Sequence, residues 1–305
     1  MRWTSLFACA AIAPLAIAAT QPVRLQPTTP WDVDYAANSC RLIRVFGEGK
    51  TETKLAFESA APGDIDLLVF GRPLATSEDR VQARLLPVGS KAFDGRAAET
   101  VTKDIPAILW PHVPLEPAEA LAEDQRQSDE YKRHPNIRPP AVSLAEKAAR
   151  RAAAQEFADQ VTAIEIDIRR DRPVILETGS LGPAMKAFEE CGRESLRDWG
   201  VNPDIEDKIV RPVWTVNGNG WLYASDYPPD MLTAGKESVV SVRLLIDATG
   251  KITSCTPLSH FTEQEFNQIS CRNIIARARF KPAELADGTK VPSYMTRRIV
   301  FQIAP

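Results

Sequence analysis

The chain of 305 residues is 44% hydrophobic and 25% charged, enough for about two ordinary domains and too balanced for a disordered or fibrous protein. Its 37 Lys and Arg against 40 Asp and Glu leave a net charge of −3, without the basic excess of a dedicated nucleic-acid binder. His112, His134 and His260 are its only histidines; none has metal-ligand spacing to another His or to a Cys pair, which argues against a zinc enzyme.

The first twenty residues carry one early charge, Arg2, and an apolar run from Leu6 to Ala19 broken by Pro14. As a helix that run rises about 21 Å, short of the roughly 30 Å hydrocarbon core. Ala16-Ile17-Ala18 has the small-x-small pattern of a signal-peptidase site. Residues 1–18 are therefore expected to be a cleaved secretory signal, with an uncleaved inner-membrane anchor as the rival. Cleavage removes Cys9 and leaves an even set, Cys40, Cys191, Cys255 and Cys271, in an oxidising compartment. Three pairings are open on paper. Cys255 and Cys271 fall on an expected strand and the helix after it, so a local bridge is easy, and Cys40 then bonds Cys191 across a loop of about 150 residues.

Residues 19–30 are polar and Pro-containing and are expected as a flexible lead-in. From Trp31 short strands alternate with turns: Cys40 to Phe46, Thr51 to Glu58 and Ile65 to Phe70, separated by Gly47-Glu48-Gly49-Lys50 and Ala61-Pro62-Gly63-Asp64. This pattern predicts an antiparallel meander. Seven prolines between Pro106 and Pro140 predict a surface-laid insertion without helix or interior strand. Ser143-Leu144-Ala145-Glu146 then opens an Ala-rich helix to about Asp159. Val161 to Ile168 alternates as a strand, Val174 to Glu177 is its hairpin partner, and a second helix runs from Ser180 to about Trp199, carrying Cys191. The division expected is a β-rich, disulfide-closed domain with two helices over 31–200, its insertion at 106–140, and a linker at 201–226 that includes Trp214 and Asn217-Gly218-Asn219-Gly220.

Residues 227–305 follow a strand, strand, helix, strand order. Tyr227-Pro228 leads a short turn to Gly235. Val240, Val242, Leu244 and Ile246 alternate on one face of a strand, with Ser241 and Arg243 on the other. Gly250 turns the chain, a helix fills Thr262 to Ala278, and Ser293 to Ile303 is the last strand. Tyr227-Pro228, Gly235, the strand ending Ile246-Asp247, Arg277-Ala278-Arg279-Phe280-Lys281-Pro282-Ala283, and Gly288 with Val291 make this quarter of the chain resemble the C-terminal domain of TonB-family proteins.

The resemblance implies an α+β chain ending in a small β-β-α-β unit. Its exposed sheet edge would accept a TonB-box peptide of an outer-membrane receptor as an added strand, by backbone pairing with side-chain selection. It places the mature protein in the periplasm, with membrane association indirect unless the N-terminal segment is retained. The expected partner edge is Tyr294, Thr296, Arg297 and Arg298. The C-terminal unit carries 10 basic and 7 acidic residues against 26 and 33 in the rest of the mature chain. That asymmetry makes acidic partners one reading of the arginines and plain edge protection the other. The departures are the anchor that the expected cleavage would remove, the Pro-rich segment lying inside the N-terminal part, Leu258-Ser259-His260-Phe261 after the second strand, and the added cysteine pair.

No cofactor is expected. Asp247-Ala248-Thr249-Gly250 and Glu177-Thr178-Gly179 lack the spacing of an aspartic dyad, and Gly-x-Ser-x-Gly, Walker and dinucleotide motifs are absent. A binding module is therefore favoured over an enzyme in the N-terminal domain. An envelope or peptidoglycan-binding structural module without a transport role is the alternative.

Overall fold

Hairpin after hairpin builds the first half of the molecule. In the computed structural model, which describes residues 21–303 apart from 37, 79, 88–90, 98–104, 135–136, 139, 169–171, 217–219 and 259–262, the strands are β1 (Val23–Leu25), β2 (Asp32–Tyr35), β3 (Cys40–Phe46), β4 (Thr53–Ala61), β5 (Asp64–Gly71), β6 (Val81–Leu86), β7 (Phe93–Ala97) and β8 (Ala107–Trp110). Helices α1 (Ala118–Arg133) and α2 (Leu144–Gln160) follow, then the hairpin β9 (Ala163–Asp167) and β10 (Val174–Leu176), then α3 (Gly182–Asp198). The expected signal segment and the loop holding His260 lie outside the described residues.

These strands form one ten-stranded sheet in the order β1-β10-β9-β6-β7-β8-β5-β4-β3-β2. The meander expected from Cys40 to Phe70 is present, with Leu42 opposite Phe57 and Phe57 opposite Leu67. All three side chains are fully buried. Just past β1, Thr28 N–H donates to Val45 and Gly47 N–H to Gln26, each at 2.9 Å, so the β1 end of the sheet is carried round to β3 near its opposite end. Leu42, Phe57, Leu67, Ile164 and Ile166 share one core. α3 packs on β2–β4, and α2 on α3. Ser143 caps α2, its hydroxyl accepting from Glu146 N–H at 3.1 Å.

Three expectations for this half are corrected. The lead-in contains β1, which pairs in parallel with β10 and buries Leu25. The stretch 106–140 holds both an interior strand and a helix. β8 lies between β7 and β5, with Trp110 fully buried and its indole N–H donating to Val81 carbonyl at 2.9 Å. Pro106 and Pro111 bracket β8, and Pro117 is the N-cap of α1, whose last residue is Arg133. Proline forbids element interiors, not element ends. With α1, three long helices stand among the described residues of the N-terminal half where two were expected.

The second half is built on a three-stranded sheet, β14-β13-β18. Its elements are α4 (Pro203–Glu206), β11 (Ile209–Arg211), β12 (Trp214–Thr215), α5 (Pro229–Thr233), β13 (Ser238–Ile246), β14 (Ile252–Pro257), α6 (Gln264–Arg277), β15 (Phe280–Lys281), β16 (Ala283–Leu285), β17 (Lys290–Val291) and β18 (Ser293–Phe301). Val240, Val242, Leu244 and Ile246 are buried together with Phe266 and Ile274 of α6. Gly250 takes φ +89° in the turn, where a Cβ would collide with the Phe280 carbonyl. Segment 201–226, expected as a linker, is partly built into this half: β11 pairs with β16 and β12 with β15. Strands of two or three residues are too short to show a period in sequence.

Candidate functional site

The two cysteine pairs hold helices to sheets. Cys40 on β3 and Cys191 on α3 are bonded with Cα atoms 6.0 Å apart, and Cys255 on β14 and Cys271 on α6 with Cα atoms 5.7 Å apart. Both are the pairs expected from spacing.

β18 is a terminal strand of its sheet, bonded along its length to β13. Alternation divides its side chains. Met295, Arg297, Ile299 and Phe301 stand opposite Leu244, Val242, Val240 and Ser238, whereas Tyr294, Thr296 and Arg298 stand opposite Leu245, Arg243 and Ser241. Beside β18 the β12 segment raises a wall, leaving an open groove of about 440 Å³ lined by Glu206, Val213, Trp214, Ser293, Met295 and Arg297, with Tyr294 and Thr296 also contributing. That volume is within the usual range for small-ligand clefts, about 300–1,000 Å³.

The four expected edge residues thus have different surroundings. Tyr294 donates its hydroxyl to the Pro62 carbonyl at 3.1 Å and sets its ring edge-on to Trp199 at 6.0 Å; burial pushes its phenol well above the usual range. The Thr296 carbonyl accepts from the Arg297 guanidinium at 3.1 Å. That guanidinium also lies 5.9 Å from the Trp221 ring centre. Arg298 is exposed and does not line the groove.

The opposite face of the sheet is not a free surface. Arg243, expected on a polar face, is 4% exposed. Its guanidinium stacks 3.6 Å from the centre of the Trp199 ring and reaches the Ala60 carbonyl at 3.4 Å. Burial lowers its pKa to about 10. Arg138 ties the two halves together further, donating to Glu284 at 2.7 Å and to the Pro282 carbonyl at 3.0 Å.

Near Arg298, Asp64, Asp66 and His112 bring three ligand-type atoms within 4.8 Å of one another. His112 Nδ1 lies 2.6 Å from Asp64 Oδ1, and its backbone N–H donates to Asp66 at 3.0 Å with φ at +54°. The hydrogen bond to Asp64 raises the His112 pKa against the effect of its burial. Desolvation raises that of Asp66. A proton held on Nδ1 competes with any cation there, so the trio is a salt-linked corner first and a metal set second. The stability that this pair adds is fully present below the unfolded histidine value of about 6.5 and is lost as pH rises through the higher folded value. Denaturation of the native protein and of His112→Gln at a series of pH values should show the native advantage shrinking upward from about pH 6.5. A constant difference would contradict the pairing.

Glu206 and Trp214 were not singled out as site residues by sequence reasoning. A tryptophan beside a Gly/Asn-rich run is the one local signal for Trp214; Glu206 lies in the stretch expected as a linker, with no local signal. The carboxylate of Asp247 serves its turn, accepting from the N–H groups of Thr249 and Lys251 at 2.8 and 3.0 Å, as its reading as a turn residue requires. No described helix is long and apolar enough to cross a membrane.

No curated protein sequence matches the chain. Residues 223–303 match the family model of the Gram-negative bacterial TonB protein C-terminal, a non-enzymatic module whose presence implies a role in TonB-dependent envelope transport through interaction with outer-membrane receptors. The protein therefore contains a TonB C-terminal domain over this segment, about four residues longer at its start than the resemblance read from the sequence.

Proposed function

We propose that the protein is a periplasmic binding module that takes an extended segment of an outer-membrane receptor, of TonB-box type, as a strand added to β18. The reading rests on one observation above the others: β18 ends its sheet and is flanked by a groove. Strand addition needs that combination, since backbone groups on the edge supply affinity and pockets beside it supply choice. The proposed division is a disulfide-closed unit over 31–200 that holds the far face of the C-terminal sheet, and a binding unit over 227–305, with 201–226 between them supplying the groove wall. Export by removal of residues 1–18 belongs to the same proposal.

Titration calorimetry of the full mature chain with synthetic TonB-box peptides tests it. Saturable binding that a proline placed in the middle of the peptide abolishes is the expected result, because proline removes a donor from the ladder. Absence of binding at millimolar peptide would overturn it.

A further inference from the structure

The groove beside β18 contains a carboxylate that, among the described residues, makes no ion pair. Glu206 closes α4, and both its oxygens accept from the Ser293 hydroxyl, at 3.1 and 2.9 Å. Among the described residues no Lys or Arg makes an ion pair with it. Lys147, close by, donates its ammonium group to the backbone carbonyls of Glu206, Asp207 and Ile209 at 3.2, 3.1 and 3.0 Å. Desolvation pushes the Glu206 carboxyl up, and the Ser293 hydrogen bond and the nearby Lys147 charge offset this only in part.

A second, independent observation lies on the same groove. Trp214 is 7% exposed, and its indole Nε1 is without a hydrogen-bond partner, although a buried indole N–H normally finds one. The site therefore holds an indole donor without a partner and a carboxylate without an ion pair, set among apolar groups of Val213 and Met295. The positive charge that also faces the groove, on Arg297, is already engaged with the Thr296 carbonyl and lies near the Trp221 ring.

Resting on the strand-addition reading, we propose that the groove selects extended peptides carrying a lysine or arginine, whose cation pairs with the Glu206 carboxylate while a ligand carbonyl accepts from Trp214 Nε1. This reverses the preference for acidic partners that the two edge arginines suggest in sequence. Arg298 lies outside the groove, and Arg297 keeps its charge but is turned to the Thr296 carbonyl and the Trp221 ring, so the preference for a cation is local to the position facing Glu206.

The test uses the full mature chain and a set of nine-residue Thr/Val peptides in which a single Lys, Ala or Glu is moved through each position, with binding read at pH 7.5. At one position the Lys peptide should bind about tenfold more tightly than the Ala peptide, as a partly buried charge-assisted pair does. Glu206→Gln should remove that preference, with the fold of the variant checked by far-UV circular dichroism. Trp indole fluorescence of the complex should be altered by Trp214→Phe, with all peptides weakened alike. Peptide binding that ignores charge, or a Lys preference that survives Glu206→Gln, would overturn the selection while leaving strand addition standing. Failure of every Thr/Val peptide while TonB-box peptides bind would overturn the selection alone, and failure of both sets would overturn strand addition as well.

Discussion

Replacing Cys40 and Cys191 together by alanine is expected to lower the stability of the N-terminal half by about 2–5 kcal/mol. The bridge spans 151 residues of chain, from the start of the meander to the last long helix. In the chain-entropy description a closed loop of that size restrains the unfolded state more than the 16-residue separation between Cys255 and Cys271 does, by about 2 kcal/mol. Both half-cystines are buried, Cys40 at 2% and Cys191 at 0% exposure, so alanine also leaves a void under α3. Urea denaturation followed by far-UV circular dichroism checks this. The Cys40/Cys191 variant should show the larger loss of midpoint and the Cys255/Cys271 variant the smaller. Equal midpoints for native and Cys40/Cys191-deficient protein would contradict it.

The second large effect concerns the joint between the halves. Trp199→Ala is expected to cost about 2–4 kcal/mol. It removes the ring over Arg243, the edge contact with Tyr294, and the apolar surface that shields both. A desolvated cation over an indole contributes about 2 kcal/mol, and loss of part of a large aromatic side chain from a packed contact supplies the rest. What remains is a guanidinium, 4% exposed in the native protein, whose Nε is without a partner. Arg243→Leu should be milder, because that charge carries a burial penalty at every pH below its lowered pKa of about 10, and replacing an unpaired buried charge by a hydrophobe of similar reach often costs little. The sign follows: the penalty is relieved only as pH rises above about 10, where the folded state gives up its proton before the unfolded state does. Differential scanning calorimetry should show one melting event for the native protein and for Arg243→Leu, and two for Trp199→Ala. An unsplit, unshifted Trp199→Ala transition would contradict the joint.

What could be read from the chain, and what could not, follows physical lines. The hairpins from Cys40 to Phe70 were legible because turn residues punctuate alternating runs, and α2 because Ser143 offers its hydroxyl to Glu146. The disulfide pairs followed from which element each cysteine occupies. The face of β13 carrying Val240, Val242 and Leu244 was legible from its alternation with Ser241 and Arg243. Arg243 was not, because period two separates the faces of a strand without saying whether a second unit covers the polar one. Helix α1 was hidden because proline was counted by density, whereas the spacing between Pro117 and Pro135 leaves room for sixteen helical residues. Of the candidate site, the edge at Tyr294, Thr296 and Arg297 was visible as the last strand of a recognisable pattern. Its wall was not, since Trp214 and Glu206 reach β18 through tertiary packing of a segment with no regular period.

The most direct test of strand addition is amide hydrogen exchange of the full chain with and without a saturating TonB-box peptide. Slowed exchange confined to backbone amides of β18, Ser293–Phe301, together with the facing residues of β12, is the predicted result. Unchanged exchange along β18 with protection elsewhere would contradict it.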